Sequence, residues 1–539
     1  AQRYRTQFPQ GRQRFRALAI TAVAHARLDH KTESEAAWNE LLEKADSPSL
    51  ITSTTLQLAE LAEQRKDWMT AEGMYSRLSS VAKQTKDVES EVFGLRGLAW
   101  AQFQQKHFPE AAKTFAQVEH DFPQHRLAPE CAYYHAEALR EAGQLSDAAT
   151  AFSAAFTRYA PQEPAAPGAE QQPPGLFAYR AGLQAARSHR QLQQVELADK
   201  AYAAVLEKFP KPQHLDKLLD EWALLNYEAN RFEQADALFR RLLKETPESD
   251  LADNARLSLA ESDLLADRLD QARVAFEELR KSPQADDTVR ERAHYQLIIL
   301  AMDQRRWDEV KALTAEFRQA FPASPLTGYV AYCAIEAQLG DPQATPEVIA
   351  AAEKQLRDQI DAPTPAEVPA WYPRLWVLLA EVRFRQKNYE GVDQAVAELK
   401  QKLPNGPLLY QADEVLGRSY KQQAQFEKAR EAFNRAIADP TAFRTETAAK
   451  SQFLIAETYF LEEKWVEAFR AYMKVYASYA TFPDWQSAAL FQAGKCDEQQ
   501  GQWKDAVQTY EQLLTEFPQS THVAEARKRQ ENARKRIVN

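Results

Sequence analysis

The stretch AALFQAGKCDEQQGQWKDAVQTYEQLLTEFPQS, residues 488–520, carries the decisive pattern. Ala506 and Tyr510 stand four residues apart, the spacing that puts two side chains on one helical face, and Trp503 stands three residues before the alanine. Twelve residues before Ala506, Gly494 offers a second small site in a preceding helical stretch, and Gly501 punctuates the interval. Pro518, twelve residues after Ala506, has no N–H with which to continue a helical ladder. The stretch reads as two antiparallel helices joined by a tight turn, small residues where they cross and a ring in the hole beside the contact.

The same arrangement recurs along the chain. With one alanine as the origin of each repeat, the series runs Ala36, Ala71, Ala111, Ala148, Ala198, Ala235, Ala272, Ala429, Ala468 and Ala506, with Val310 and Val392 filling the same place, mostly 35 to 41 residues apart. Large residues precede the origin by three positions at Trp68, Phe108, Trp307, Tyr389, Phe426 and Trp465, and rings follow it by four at Tyr75, Phe115, Phe152, Tyr202, Phe239, Phe276, Phe433 and Tyr472. The small site twelve residues upstream is Ala24, Ala59, Ala99, Ala136, Ala186, Ala223, Ala260, Ala380, Gly417 and Ala456, with Ile298 the exception. The turn-proximal tryptophans Trp68, Trp307, Trp465 and Trp503 are expected in the core.

Residues 488–520 resemble a tetratricopeptide repeat at nearly every signature place, departing at Asp497 where that family prefers an aromatic, and residues 411–440 are similarly close. The resemblance extends over essentially the whole chain. It implies an all-α fold, a right-handed superhelix of about 12–13 helix-turn-helix repeats, whose first helices line a concave groove. Repeats ending in Phe122-Pro123-Gln124, Phe321-Pro322-Ala323 and Phe517-Pro518-Gln519 resemble those of bacterial cell-envelope members, including proteins associated with the Tol–Pal system and with outer-membrane assembly. That resemblance implies the periplasm or cell envelope, the cytoplasm being the alternative.

Composition agrees with a helical array. Only 15 glycines occur in 539 residues, and no run of alternating β-branched residues is bounded by hairpin turns. The formal charge of −10 argues against a protein covered by nucleic acid, because phosphate neutralisation needs a basic face. No apolar run of about 18 residues spans a membrane. Cys131, Cys333 and Cys496 lie far apart, without metal-ligand spacing, and are read as small buried helix residues.

Catalytic signatures are missing. Neither G-x-x-x-x-G-K-[ST] nor G-x-G-x-x-G occurs, and His-Glu-x-x-His and Gly-x-Ser-x-Gly are absent as well. His120 and His125 are read as exposed turn residues. The expectation is a non-catalytic protein with no cofactor, no metal and no small-molecule substrate. It would bind partner proteins or extended peptides along the first helices, through Arg374, Arg385, Arg418, Lys421, Lys450, Phe453, Phe491 and Lys495, where cations and aromatics combine. The carboxylate clamp of chaperone-binding members is not matched: Glu414 and Arg418 stand where that clamp has Lys and Asn.

Two interruptions divide the chain. Residues 161–175 form a Pro-rich loop or joint, and residues 361–373 a second Pro-rich break, leaving repeat arcs at 1–160, 176–360 and 374–520. Residues 521–539 form a basic capping helix with Arg527, Lys528, Arg529, Arg534, Lys535 and Arg536. At the other end, Tyr4, Phe8 and Pro9 match the close of a second helix, so further repeats or another domain are expected upstream in the natural protein. Two other functional readings stand beside the scaffold: an accessory region of a larger enzyme or secretion machine, and a self-assembling structural array or homo-oligomer.

Overall fold

The computed structural model describes residues 1–340, 344–362 and 368–538. The middle of the second Pro-rich break and Asn539 lie outside the described residues. The described residues form α-helices with two short 3-10 turns and no strand. After α1 (Gln2–Gln7) come α2 (Arg14–Arg27) with α3 (Lys31–Lys44), α4 (Pro48–Gln64) with α5 (Trp68–Thr85), α6 (Val88–Gln104) with α7 (Phe108–Asp121), and α8 (Ala128–Glu141) with α9 (Leu145–Tyr159). Next are α10 (Gly175–Gln191) with α11 (Val195–Lys208), α12 (Leu215–Glu228) with α13 (Phe232–Glu245), α14 (Ala252–Leu265) with α15 (Leu269–Lys281), and α16 (Asp287–Asp303) with α17 (Trp307–Ala320). The series ends with α18 (Thr327–Leu339) and α19 (Pro346–Ile360), α20 (Arg374–Arg385) and α21 (Tyr389–Lys402), α22 (Leu409–Gln422) and α23 (Phe426–Ala438), α24 (Glu446–Leu461) and α25 (Trp465–Ser478), α26 (Pro483–Gln499) and α27 (Trp503–Glu516), and α28 (Val523–Val538). Thirteen pairs therefore lie between α1 and α28 among the described residues.

The turn inside twelve of the thirteen pairs has one construction. Five residues before the origin the backbone enters the left-handed region, at Lys66, Lys106, Gly143, Gln193, Asn230, Asp267, Arg305, Lys387, Ala424, Glu463 and Gly501. Around it the first helix closes with two reverse hydrogen bonds, as where Lys106 N–H donates to Phe103 O (3.0 Å) and His107 N–H to Gln102 O (2.9 Å). Asp29, with φ 65, occupies this place in the first pair, so the origin there is Ser34. Ala36 and Ala24 are both exposed, whereas Ser34 and Ala22 are buried and the Ser34 hydroxyl donates to Ala22 O (2.8 Å). The series thus begins two residues before the alanine that pattern alone suggested, because both pairs of small residues fit the period.

Several second helices also end alike. Phe122, Phe209, Phe321, Leu403 and Phe517 share φ near −130° and ψ between 52° and 76° before their prolines, the extended backbone that a following proline imposes. Phe8, before Pro9, has φ −132° and ψ 66° and closes α1 in the same way. A polar latch follows several of these turns: the Ser249, Ser324 and Ser520 hydroxyls and the His125 ring each accept the N–H two residues on and reach back to the preceding first helix, Ser249 to Asp216 (2.7 Å) and His125 to Glu89 (2.8 Å). His125 is therefore largely withdrawn from solvent, its side chain 11% exposed, unlike His120 at 89%.

The chain divides into two compact units, Ala1–Ala272 and Arg273–Asn539. Within each, consecutive helices pack together, and first helices of successive pairs also touch, α2 to α4 and α4 to α6 in the first unit, α20 to α22, α24 and α26 in turn in the second. The core is a chain of local clusters, such as Ala186 to Ala255 in the first unit and Leu490 to Ala533 in the second. The rings four residues after the origin are its centre: Phe115, Phe152, Tyr202, Phe433 and Tyr510 are fully buried. A Cβ on Gly417 would come within 2.4 Å of the Phe433 ring, and one on Gly494 within 2.5 Å of Tyr510. Ile298, the large exception, faces a second helix with Thr314 in place of the ring, both buried, so large and small have exchanged sides. The turn-proximal tryptophans are only half-buried, because they lie at the pair's edge; there Trp465 meets a ring of the first helix, Phe460 (4.9 Å).

Cys131, Cys333 and Cys496 are buried, and burial pushes their thiols up. The 161–175 segment is tied down at three points: Ala165 N–H donates to Lys208 O (2.8 Å), Lys208 Nζ to Gln162 O (2.9 Å), and Gln213 N–H to the buried Glu170 carboxylate (2.9 Å).

Candidate functional site

Counted from the origin, positions −11 and −8 lie on the outward face of the first helices. In the second unit position −11 carries Glu381, Arg418, Glu457 and Lys495 on α20, α22, α24 and α26, alternating in sign, and position −8 carries Phe384, Lys421, Phe460 and Glu498. The alternation is used across the helices. Arg418 pairs with Glu381 on α20 and with Glu414 on its own helix (2.9 Å), Lys450 reaches Glu414 from α24 (2.9 Å), and Lys421 pairs with Glu457. Arg529 on α28 closes the series on Glu498 (2.6 Å). Burial raises the Glu381 carboxyl, yet the Arg418 guanidinium outweighs it and holds the group below the usual range.

Rings sit between these ions. The Arg418 guanidinium lies over Phe384 (4.7 Å), and Lys495 lies over Phe460 (5.0 Å) and Phe491 (6.0 Å). Phe491 stacks on His522 (4.9 Å, 8°). Lys495 has no carboxylate within ion-pair distance among the described residues; burial, with Arg529 nearby, lowers its ammonium from the ordinary value.

The eight residues singled out from the sequence therefore divide. Arg418, Lys421, Lys450, Phe491 and Lys495 come together on α22, α24 and α26. Arg385 lies at the end of α20, donating to Leu339 O (2.6 Å) at the close of α18, and Arg374 lies beside Tyr332 of α18. Phe453 is 9% exposed, its ring against Tyr472 (5.1 Å) and Trp485 (5.3 Å), so it serves the core and offers little to a ligand. Arg418, Lys421 and Lys450 are engaged by carboxylates of neighbouring helices, which composition along one helix does not disclose. A ligand on this strip would exchange these ion pairs and meet, at Lys495, an ammonium without a carboxylate among the described residues.

The first unit has an aromatic counterpart that the sequence reading missed. Trp100 and Phe103 on α6 stack (5.8 Å), and Trp100 meets Tyr134 on α8 edge-on (5.1 Å), which in turn meets Phe177 on α10 (6.2 Å). The signal was present, since Trp100 and Phe103 occupy positions −11 and −8 of their repeat. Among the described residues no group of three or more His, Cys, Asp or Glu is placed to hold a metal ion, and no helix is long and apolar enough to cross a membrane.

Comparison with known proteins agrees with the repeat geometry. Two family models described as tetratricopeptide repeat match, one at residues 180–212 and 488–520, the other at 96–163 and 415–484. No curated protein matches the chain. Similar solved structures include a signal transduction ATPase with a tetratricopeptide repeat sensor from Pyrococcus horikoshii, at 12% identity and TM-score 0.43 over 63% of this chain and 53% of that one, about half its length. Others are the APC/C hetero-tetramer Cut9–Hcn1, at 11% identity and TM-score 0.35 over 90% of this chain and 97% of that one, and a tetratricopeptide repeat protein from Parabacteroides merdae, at 15% and 0.32 over 54% and 98%. Those likenesses are too distant to bear on the assignment, which rests on the matched segments and their geometry: the chain contains tetratricopeptide repeats over residues 96–163, 180–212, 415–484 and 488–520.

Proposed function

We propose that this chain is a non-catalytic scaffold that binds partner proteins through the outward face of its first helices. The observation supporting this reading is the strip across α20 to α28, where half-buried ion pairs and rings run without a break from one first helix to the next. Such a surface suits an extended segment carrying both charges and apolar side chains, because each ion pair can be exchanged for one with the ligand while the rings supply contact area. A photoreactive residue placed at Phe460 or Phe491 is expected to capture a protein partner in native cells, and one at Glu467 on the outside of α25 is not. Equal capture from both faces, or none from the first, overturns the reading.

We place the protein in the bacterial cell envelope, of the kind associated with the Tol–Pal system or outer-membrane assembly. The support is the Phe-Pro-polar close of its second helices, seen at Phe122-Pro123-Gln124 and Phe517-Pro518-Gln519. Release by osmotic shock of the source cells tests it, and retention with the cytoplasmic fraction contradicts it.

A further inference from the structure

The tied-down Pro-rich segment builds a groove that the repeats alone do not have. One wall is the turn before α8, with Arg126; the other is the end of α9, with Arg158 and Tyr159; and Pro173, Pro174 and Phe177 form the floor. It has a volume of about 580 Å³, enough for a few residues of an extended chain. The segment is held in place from behind by its bonds to Lys208 and Gln213, and Gly175 is packed so that a Cβ would lie 2.2 Å from Ala169 O. The groove is therefore preformed.

Its lining is divided about evenly between polar and apolar surface, with an excess of positive charge. The one carboxylate on its lining, Glu130, is already held by Arg96 through two hydrogen bonds of 2.9 and 2.7 Å. Arg126 is engaged by Glu89 (2.8 Å), but Arg158 has only Glu119 at 3.8 Å, the outer limit of an ion pair, with its side chain 48% exposed. Beside it the Tyr159 hydroxyl is withdrawn from solvent and has no hydrogen-bond partner. An unmet donor next to a loosely held guanidinium asks for an acceptor bearing negative charge.

We infer that this groove binds an extended segment of a partner protein in which one Asp or Glu is flanked by proline or aliphatic residues, the carboxylate taken by Arg158 and Tyr159 and the apolar neighbours lying on Pro173, Pro174 and Phe177. The site is separate from the strip in the second unit and shares with the proposed function only the premise that the chain binds protein. The test is to pan a random dodecapeptide library on phage against the full chain, then measure binding of the enriched peptides, made synthetically, by fluorescence polarisation. Enriched sequences are expected to place one acidic residue between apolar ones. Affinity should fall about tenfold or more with Arg158→Glu, with Phe177→Ala, and with the peptide acid changed to its amide, and severalfold with Tyr159→Phe, each variant keeping wild-type circular dichroism. No enrichment, or peptides that bind Arg158→Glu and Phe177→Ala like wild type, overturns the inference. Peptides that ignore these variants but are lost with Phe491→Ala would overturn it while leaving the scaffold reading in place.

Discussion

Two kinds of residue carry costs that the regular repeat hides. The left-handed turn position costs an L-residue about 1 kcal/mol, and Gly143 and Gly501 avoid that cost where ten other turns of the series bear a side chain. Gly501→Ala is therefore expected to lose about 1 kcal/mol, read from the urea midpoint, although alanine is the better helix former on paper. Asp497 is the second kind. It is 2% exposed, and burial pushes its carboxyl up to about 6 against one hydrogen bond from the Thr509 hydroxyl (2.9 Å). Since the folded state then binds the proton more tightly than the unfolded one, the neutral form stabilises at low pH, and that stabilisation is lost as pH rises through about 6. Asp497→Asn should raise stability by about 2–3 kcal/mol at pH 7 and leave it unchanged at pH 4. A gain that is the same at both values would point to packing instead.

Helices are held to their neighbours by devices repeated at the same offsets. The latch after the second helix caps the next first helix and ties it to the one before, so Ser249→Ala should cost about 1 kcal/mol and increase amide exchange at the start of α14. Glu414 has a larger role: it is 5% exposed and lies between Arg418 and Lys450, on two different helices. Removing it leaves two half-buried cations short of a partner, and Glu414→Ala is expected to destabilise the second unit by about 2–4 kcal/mol. A double change that also removes Lys450 should recover part of that loss; strict additivity would show that the pair contributes nothing. The exchange of Ile298 with Thr314 shows the same logic in apolar terms, since a helix pair keeps its separation when the large residue changes sides.

Across the molecule, stability is divided among local clusters, each made by three to five neighbouring helices. Damage should therefore stay local. Tyr510 is fully buried beside Leu490, Leu513 and Ala526, and Tyr510→Ala should cost roughly 3–5 kcal/mol there. Hydrogen exchange is expected to rise in α26 to α28 and to stay at wild-type values in α2 to α9. A uniform rise in both units would contradict the division. The edge position of Trp503, half-buried with Arg536 over its ring (5.7 Å), predicts a smaller loss for Trp503→Ala in the same helices.

The helices, their pairing order and the buried rings were legible from residues alone, because a small residue and a ring at fixed offsets leave a helix pair one way to close. Register failed only at the first repeat, where Ala36 and Ala24 imitate the true contact of Ser34 with Ala22, and spacing does not tell which small residue faces inward. The candidate site was legible by address but not by state. The sequence places Arg418, Lys421 and Lys450 on outward helical faces; only the tertiary structure brings Glu381, Glu414 and Glu457 to them from residues 36 or 37 positions away or from the same helix. It likewise turns Phe453 into the core and folds the Pro-rich segment into one side of a groove. Periodicity is a property of neighbours along one chain, whereas the charge a surface has left to offer depends on which helix lies beside it.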